Sequence, residues 1–222
     1  MKNLIQAAFE KPVKYPPINQ IVYPGDKVTI VPDPFVISRP DLLVAFVTSV
    51  TDLGISAGDI SLLLLEQETK LFETPIRKRL PKVLRDEVRI VSHDSQRQND
   101  LAMLAVAKND SPIKLNRCLV DADVVIPIER HEAALGMGYF GMQSVIYPRF
   151  ADSETQKRFL FAEAKKNSQK LLMELAGEVT EVVFALGVIM TVQILANLQG
   201  EIIRIIFGDT VEIQRLLAKK GK

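Results

Sequence analysis

Short runs of consecutive apolar residues recur along the chain between longer stretches in which apolar and polar positions mix. Residues 27–32, 62–65, 88–91 and 124–128 are such runs and are rich in valine, isoleucine and leucine. Runs of this length are typical of parallel strands that are covered on both faces. They predict four buried strands, with residues 124–128 as a central one.

Helices are predicted where apolar positions recur at spacings of three and four. One helix begins at Asp41, which can cap it, and continues through Leu53. A short helix follows Asn116 up to residue 122, a long amphipathic helix covers residues 153–175, and a closing helix covers residues 210–220. Strands that alternate with helices are typical of a sheet with helices on its faces.

Both ends of the chain depart from this alternation. Prolines 12, 16 and 17 block regular structure, so the first twenty residues are predicted to be extended. Near the C-terminus, residues 187–195 and 201–207 flank a four-residue loop and predict a β-hairpin.

The predicted fold is therefore α/β and Rossmann-like, with a mainly parallel sheet flanked by helices and an antiparallel hairpin near the C-terminus. Residues 113–115 are predicted to be an edge strand. A length of 222 residues suits one large domain, and residues 1–222 are interpreted as one.

Charge and composition argue against several classes of binding partner and structural feature. The chain has 28 Lys+Arg against 27 Asp+Glu, and its net charge of +1 predicts neither nucleic-acid nor membrane binding. The single cysteine, Cys118, excludes an internal disulfide framework. With no recognisable signal peptide and no apolar run long enough to cross a bilayer, the expected location is cytoplasmic.

Several short motifs occur in one order along the chain. They are Pro24-Gly25-Asp26, Ser38-Arg39-Pro40, Ala122-Asp123, Gly138-Tyr139-Phe140-Gly141, Val145-Ile146-Tyr147-Pro148 and Glu154-Thr155. In this order the motifs resemble the N-terminal domain of nickel-dependent lactate racemases. The resemblance implies an active site between this domain and a smaller C-terminal domain, which this sequence lacks.

The resemblance also implies a specific chemistry. The family moves a hydride onto a nickel pincer cofactor, with two histidines as general acid and base, a lysine that tethers the cofactor and a histidine that binds the metal. From Ala122 to Thr155 the chain aligns with the family without a gap. That register places Ala134 at one catalytic histidine, Ser144 at the lysine and Leu160 at the metal-binding histidine.

The fourth reaction position comes from the family's Thr-His-Arg turn, which aligns with Glu68-Thr69-Lys70. Thr69 then replaces the other catalytic histidine, and a threonine hydroxyl can hydrogen-bond a ligand but is not a general base near neutral pH. With all four positions changed, neither racemase activity nor the nickel pincer cofactor is expected. No catalytic residue and no metal ligand is assigned.

The residues that remain suggest a ligand site. Arg39 matches the family's substrate-carboxylate arginine, or is a surface or structural arginine. Gly138 and Gly141 leave room for a ligand-binding loop after the central strand, or form a tight structural turn. Thr69 and Ser144 complete the predicted ligand-binding set.

Other polar residues admit two interpretations. His93 and His131 invite a metal hypothesis, but two distant histidines are insufficient for a site. Glu129, His131 and Glu132 form either a small acid/base cluster on one loop or a set of solvated charges.

The leading functional hypothesis is a catalytically degenerate racemase-like domain that binds a small carboxylate or a protein partner. The partner would be a second copy of the chain or a separate racemase-like chain. The alternative is an enzyme on a small 2-hydroxy acid that uses Arg39, Thr69 and the His131 loop, either alone or completed by a second chain. A structural remnant without a ligand is the third hypothesis.

Overall fold

A computed structural model describes residues 1–106, 112–131, 140–164 and 169–220, and the side chains of these residues up to 218. The strands are β1 (Val28–Pro32), β2 (Ile60–Leu65), β3 (Arg89–His93), β4 (Leu101–Val106), β5 (Pro112–Asn116), β6 (Val124–Arg130), β7 (Met190–Ala196) and β8 (Ile202–Asp209). The helices are α1 (Lys2–Glu10), α2 (Pro34–Ile37), α3 (Pro40–Thr51), α4 (Glu66–Arg79), α5 (Lys82–Arg85), α6 (Arg117–Val120), α7 (Ser153–Ala164), α8 (Gln169–Ala185) and α9 (Thr210–Lys220).

The larger sheet has the strand order β3-β2-β1-β6-β7-β8. All its neighbouring strands run parallel except β7 and β8, which pair antiparallel. This confirms the predicted α/β class, the mainly parallel sheet and the C-terminal hairpin. Strand β1 lies between β2 and β6, so the chain moves to one side of β1 first and later continues on the other side.

Alternate residues of the central strands belong to different hydrophobic cores. On β2, Leu62 and Leu64 belong to the core beneath α1, α3 and α4, whereas Leu63 belongs to the core beneath α7 and α8. Because side chains of a strand alternate between the two faces of a sheet, a strand buried on both faces needs apolar residues at every position. This explains the continuous apolar runs of the sequence.

The prediction of an extended N-terminus is wrong for its first half, where α1 forms. Ile5 and Phe9 are one helical turn apart and buried, and the prolines lie beyond the end of this helix. The segment that follows is extended. The Val13 amide donates to the Phe207 oxygen at 2.8 Å, and the Val13 oxygen accepts from the Asp209 amide at 3.0 Å.

Other elements also differ from the prediction. The long helix predicted for 153–175 is described as α7 and α8, with residues 165–168 outside the described part. The predicted edge strand is β5, which pairs with β4 in a separate two-stranded sheet. Helix α4 was not predicted, because within it only Ile76 is fully buried and no continuous apolar face marks it. Among the described residues, no helix combines the length and apolar character needed to cross a membrane.

Candidate functional site

A cavity of about 670 Å³ opens where the parallel strands end. Residues at or just beyond the carboxyl ends of β1, β2, β3 and β6 line it, namely Asp33, Leu65, Glu66, His93, Asp94, Glu129 and Arg130. The cavity therefore spans the point where the chain changes direction across the sheet, between β1 and β6. Open α/β sheets bind ligands at this place, because the loops after the two adjacent strands diverge there.

The other wall comes from residues 140–150 and from α7. Phe140, Ile146, Tyr147 and Phe150 are almost fully buried and fasten this turn to the second core. From this turn Phe140, Ser144, Val145, Pro148 and Arg149 line the cavity, and from α7 Gln156, Phe159, Leu160 and Glu163 line it. The peptide bond between Tyr147 and Pro148 is cis.

Glu129 is the most deeply buried carboxyl of the cavity wall, with 3% of its surface exposed. Its Oε1 accepts hydrogen bonds from the Gln143 amide at 2.7 Å, from Gln193 Nε2 at 2.9 Å and from Thr191 Oγ1 at 3.3 Å. Burial, and secondarily the nearby Asp33, raises the pKa of Glu129 to about 7, although the three hydrogen bonds oppose the shift. Near neutral pH this carboxyl can therefore hold or release a proton.

His93, at the end of β3, is buried and has a partner at each ring nitrogen. The Asn116 amide group lies 3.1 Å from Nδ1, and the Ala151 carbonyl oxygen lies 3.1 Å from Nε2. Since Asn116 Oδ1 already accepts from the Cys118 amide, Asn116 Nδ2 donates to Nδ1, and Nε2 carries the ring proton. Burial lowers the pKa of His93, so the ring is neutral. It holds the two sheets together.

Arg149, which lines the cavity, forms an ion pair with Glu68, and each side chain is only 15% exposed. The second oxygen of Glu68 accepts from the Leu65 amide at 2.9 Å and so caps the start of α4. Arg149 Nε is buried and has no hydrogen-bond partner within the described ranges. The pair joins the 140–150 turn to the end of β2.

Other carboxylates of the lining are compensated locally. Asp33 accepts from the backbone amides of Val36 at 2.8 Å and of Arg130 at 2.6 Å. Glu66 forms an exposed ion pair with Lys70 at 2.6 Å. These contacts reduce the negative field in the cavity, which also contains the guanidinium groups of Arg130 and Arg149.

Ser144 and Leu160 are the family-aligned positions that line the cavity. Ser144 is 6% exposed, and its amide donates to the Gly141 oxygen at 3.2 Å. Leu160 is 63% exposed on α7. The structure therefore places these two predicted positions on the wall of one cavity.

Arg39 and Thr69 do not line the cavity. The Arg39 guanidinium stacks on the Phe35 ring, 3.6 Å from its centre, and donates to the Phe35 oxygen at 3.0 Å. Thr69 lies within α4, where its hydroxyl donates back to the Leu65 oxygen at 3.1 Å. Both side chains are thus occupied by local contacts. For Arg39 these contacts favour the interpretation as a structural arginine over that as a carboxylate-binding one.

Gly141 has a φ of +106° and opens the 140–150 turn, a conformation that favours glycine. It does not line the cavity, which fits its interpretation as part of a tight turn. Gly138 and Ala134, like Glu132, lie outside the described residues.

Sequence reasoning missed Arg149 and treated Glu129 as part of a loop cluster. Glu129 is instead within β6, and His131, just beyond that strand, does not line the cavity. A weak signal existed for Glu129, because a charged residue directly after a buried parallel strand lies at the sheet edge where sites form. No sequence pattern around Arg149 indicates that its side chain is largely buried.

The fold and the cavity define an α/β protein with a cavity at the ends of its parallel strands. The profile of the family described as lactate racemase N-terminal domain matches residues 1–169. The match covers well over half of the chain, and the chain therefore belongs to the lactate racemase N-terminal domain family.

Two solved structures show the same fold at low sequence identity. The lactate racemase apoprotein from Thermoanaerobacterium thermosaccharolyticum matches with a TM-score of 0.69 and 16% identity, over 96% of this chain and 53% of its own. A protein from Thermotoga maritima matches with a TM-score of 0.60 and 16% identity, over 86% of this chain and 51% of its own. The chain spans about half the length of each. No curated protein sequence matches it.

Proposed function

We propose that this chain is a ligand-binding domain of the lactate racemase N-terminal family, that it does not carry out the nickel-dependent reaction, and that its cavity takes a small carboxylate. The observation that carries this proposal is the cavity itself. It retains a volume of about 670 Å³ at the strand ends, while Ser144 and Leu160 line it at the positions aligned with the family's lysine and histidine.

The residues present do not fit a tethered nickel pincer. Within the described ranges, the lining contains no lysine that could tether such a group. Its one histidine there, His93, has a protein partner at each ring nitrogen. Nor does any group of three or more His, Cys, Asp or Glu side chains in the described part form a metal-binding cluster.

Metal analysis of the purified protein tests this part of the proposal. We expect nickel far below one atom per chain after expression in nickel-supplemented medium. Near-stoichiometric nickel would overturn the assignment of Ser144 and Leu160 as substitutions of the reaction centre.

Arg130 is the proposed partner of the ligand carboxylate, because it lines the cavity whereas Arg39 does not. Its guanidinium lies 5.3 Å from the Phe35 ring centre, and an arginine suits a carboxylate through two parallel N–H donors. Arg149 is paired with Glu68 and is not assigned to the ligand.

Isothermal calorimetry with acetate, glycolate and both lactate enantiomers tests carboxylate binding. We expect Arg130→Gln to weaken binding at least tenfold and Arg39→Gln to leave it within about twofold. Equal losses in the two variants would contradict the assignment of Arg130. No binding by any of these acids would favour a structural domain without a small ligand.

A protein partner is the second part of the proposed function. Helices α7 and α8 expose four large apolar side chains, Leu160, Phe161, Met173 and Phe184, each more than 60% exposed. Exposed apolar side chains on consecutive helices favour association with another chain. A second copy of this chain or a separate racemase-like chain is the proposed partner.

One observation favours the enzyme alternative. Glu129 titrates near neutral pH beside a cavity, as a general acid or base requires. Arg39, Thr69 and His131 do not line the cavity, so this alternative depends on Glu129. Deuterium incorporation at C2 of lactate in D₂O, lost in Glu129→Gln, would support it over the binding-domain proposal.

A further inference from the structure

Glu129 is held by donors from different parts of the chain that all reach the same oxygen. The Gln143 backbone amide, Gln193 Nε2 and Thr191 Oγ1 converge on Oε1. Gln143 is itself fixed, since its Nε2 donates to the Val188 and Met190 oxygens, each at 3.1 Å. Thr191 and Gln193 are fully buried. The orientation of the Glu129 carboxyl is therefore set by rigid surroundings.

The other carboxyl oxygen, Oε2, receives no hydrogen bond from the part of the chain that the structure describes. The Glu129 side chain nevertheless lines the cavity. Oε1 is fully occupied by three donors, whereas Oε2 can still form a hydrogen bond. Oε2 is therefore the carboxyl oxygen of Glu129 that can contact a ligand. A carboxylic acid in this setting keeps its C=O at Oε1 and its O–H at Oε2.

The charged groups around Glu129 have opposing effects. Asp33, after β1, opposes ionisation of Glu129, whereas the neighbouring Arg130 brings a positive charge to the same wall. The groups that face Glu129 from β7 and from the 140–150 turn, namely Thr191, Gln193 and Gln143, are uncharged. His93, on the cavity wall at the end of β3, is neutral. Burial thus remains the main influence on the ionisation of Glu129.

We propose that Glu129 contacts the ligand as a neutral carboxylic acid, with the Oε2 hydroxyl donating a hydrogen bond to the carboxylate of a small acid. This inference rests on the proposed function and specifies its ligand chemistry. A hydrogen bond between a carboxylic acid and a carboxylate is charge-assisted, short and strong. A deprotonated Glu129 would instead repel the ligand at the same position.

Binding is therefore coupled to proton uptake. When Glu129 is ionised in the free protein, the ligand carboxylate enters together with one proton from solvent, which ends on Oε2. No covalent bond forms or breaks. When Glu129 is already protonated, binding takes up no proton and is independent of pH.

Calorimetry of the wild-type chain with L-lactate or glycolate, from pH 5.5 to 8.5 in two buffers of different ionisation enthalpy, measures this coupling. Above the pKa of Glu129 we expect Kd to rise about tenfold per pH unit and proton uptake to approach about one per ligand bound. Flat affinity without proton uptake across this range would overturn the inference.

Glu129→Gln is the matched variant, because the glutamine oxygen keeps the Oε1 contacts and its Nε2 can donate to the ligand. We expect its Kd at pH 5.5 to stay within about threefold of the wild type and to remain flat up to pH 8.5. A loss of more than tenfold at pH 5.5 would contradict the inference. Glu174→Gln, an exposed carboxylate on α8, serves as control and should keep the wild-type pH dependence.

Infrared spectroscopy of the ligand-free wild type separates the two proposals. A C=O band of a neutral, buried carboxylic acid should be present at pH 5.5 and disappear as pH rises past about 7. If this band is absent, the neutral acid is overturned even if carboxylates bind. If the band is present but no acid binds at pH 5.5, the proposed function has failed, and with it the ligand contact.

Discussion

Glu129 and Arg149 are both withdrawn from solvent beside the cavity, but the fold satisfies them differently. Neutral hydrogen-bond donors surround Glu129, whereas Arg149 has a charged partner in Glu68. Neutral donors stabilise a carboxylate less than a cation does, so burial dominates and the pKa of Glu129 rises. The cavity wall thus contains one carboxyl, Glu129, whose ionisation burial controls.

The raised pKa of Glu129 makes stability depend on pH. The folded state binds the proton more tightly than the unfolded chain, so stabilisation is complete below the unfolded pKa of 4.5 and is lost as pH rises through about 7. Relative to Glu129→Gln, the wild type should lose on the order of 3 kcal/mol of unfolding free energy between pH 4.5 and 7.5. Urea unfolding across this range measures the difference. A constant difference would contradict a raised pKa.

Gly208 lies where no side chain fits. Its φ is +149°, and a Cβ there would meet the Val13 oxygen at 2.3 Å and the Val13 nitrogen at 2.5 Å. Gly208→Ala should therefore destabilise the fold by about 3 kcal/mol or more, because backbone atoms must move. Gly177, in the exposed face of α8, has nothing within 4 Å of such a Cβ. Gly177→Ala should instead stabilise by about 0.5–1 kcal/mol in the same unfolding assay.

At this scale the sequence predicts aligned positions better than contacts. Ser144, a position that the predicted register selects, lines the cavity. Arg39 does not, because its stacking on Phe35 depends on how α2 and α3 meet, which no local spacing reveals. The Glu129 carboxyl is held at the cavity by Thr191 and Gln193 of β7, which lie more than sixty residues away in the chain.

The start of α4 and the 140–150 turn are joined by the Glu68–Arg149 pair, and this contact connects two elements of the cavity wall. Glu68 also supplies the cap of its own helix through the Leu65 amide. One side chain thus begins a helix and fixes a turn about eighty residues later.

Glu68→Gln tests this connection. Glutamine can still accept from the Leu65 amide, but it leaves Arg149 largely buried without a counter-charge, and we expect a loss of about 2–4 kcal/mol. Glu174→Gln breaks an exposed pair with Lys170 and should change stability by less than about 0.5 kcal/mol. Thermal and urea unfolding of both variants give the comparison. Equal small effects would show that the Arg149 pair behaves as a surface pair.

Elements buried on both faces were predictable, and elements with one weakly apolar face were not. Strands β1, β2 and β6 appear in the sequence as continuous apolar runs because each contributes to two cores. Helix α4 gives no such signal, since its sequence contains the helix-breaking residue Pro75 and its Leu71 is exposed. Strand β4 was not predicted for a similar reason, because Leu101 is the one fully buried residue of this strand.

The order of strands gives the molecule its cavity. Because β1 pairs with β2 on one side and with β6 on the other, the change of direction in the strand order falls between β1 and β6, where open α/β sheets form their ligand crevice. Sequence reasoning predicts the sheet and its parallel character, but a strand order requires long-range pairing that apolar runs do not specify.

The exposed apolar side chains of α7 and α8 predict self-association of the whole molecule. Light scattering over a wide concentration range should show a mass above that of one chain, and Phe184→Glu should lower it. Leu198→Glu, at an almost fully exposed hairpin position, is the control and should not. A monomeric wild type at all concentrations would contradict association through this face.

The backbone contacts of Val13 also protect the protein from aggregation. Strand β8 is the last strand of its sheet, and an outermost strand offers unpaired N–H and C=O groups to any other extended chain. Val13 occupies two of these groups, at Phe207 and Asp209. Removing residues 1–14 would expose the edge of β8 and favour aggregation by strand pairing. The oligomeric state is therefore best measured with the N-terminal segment intact.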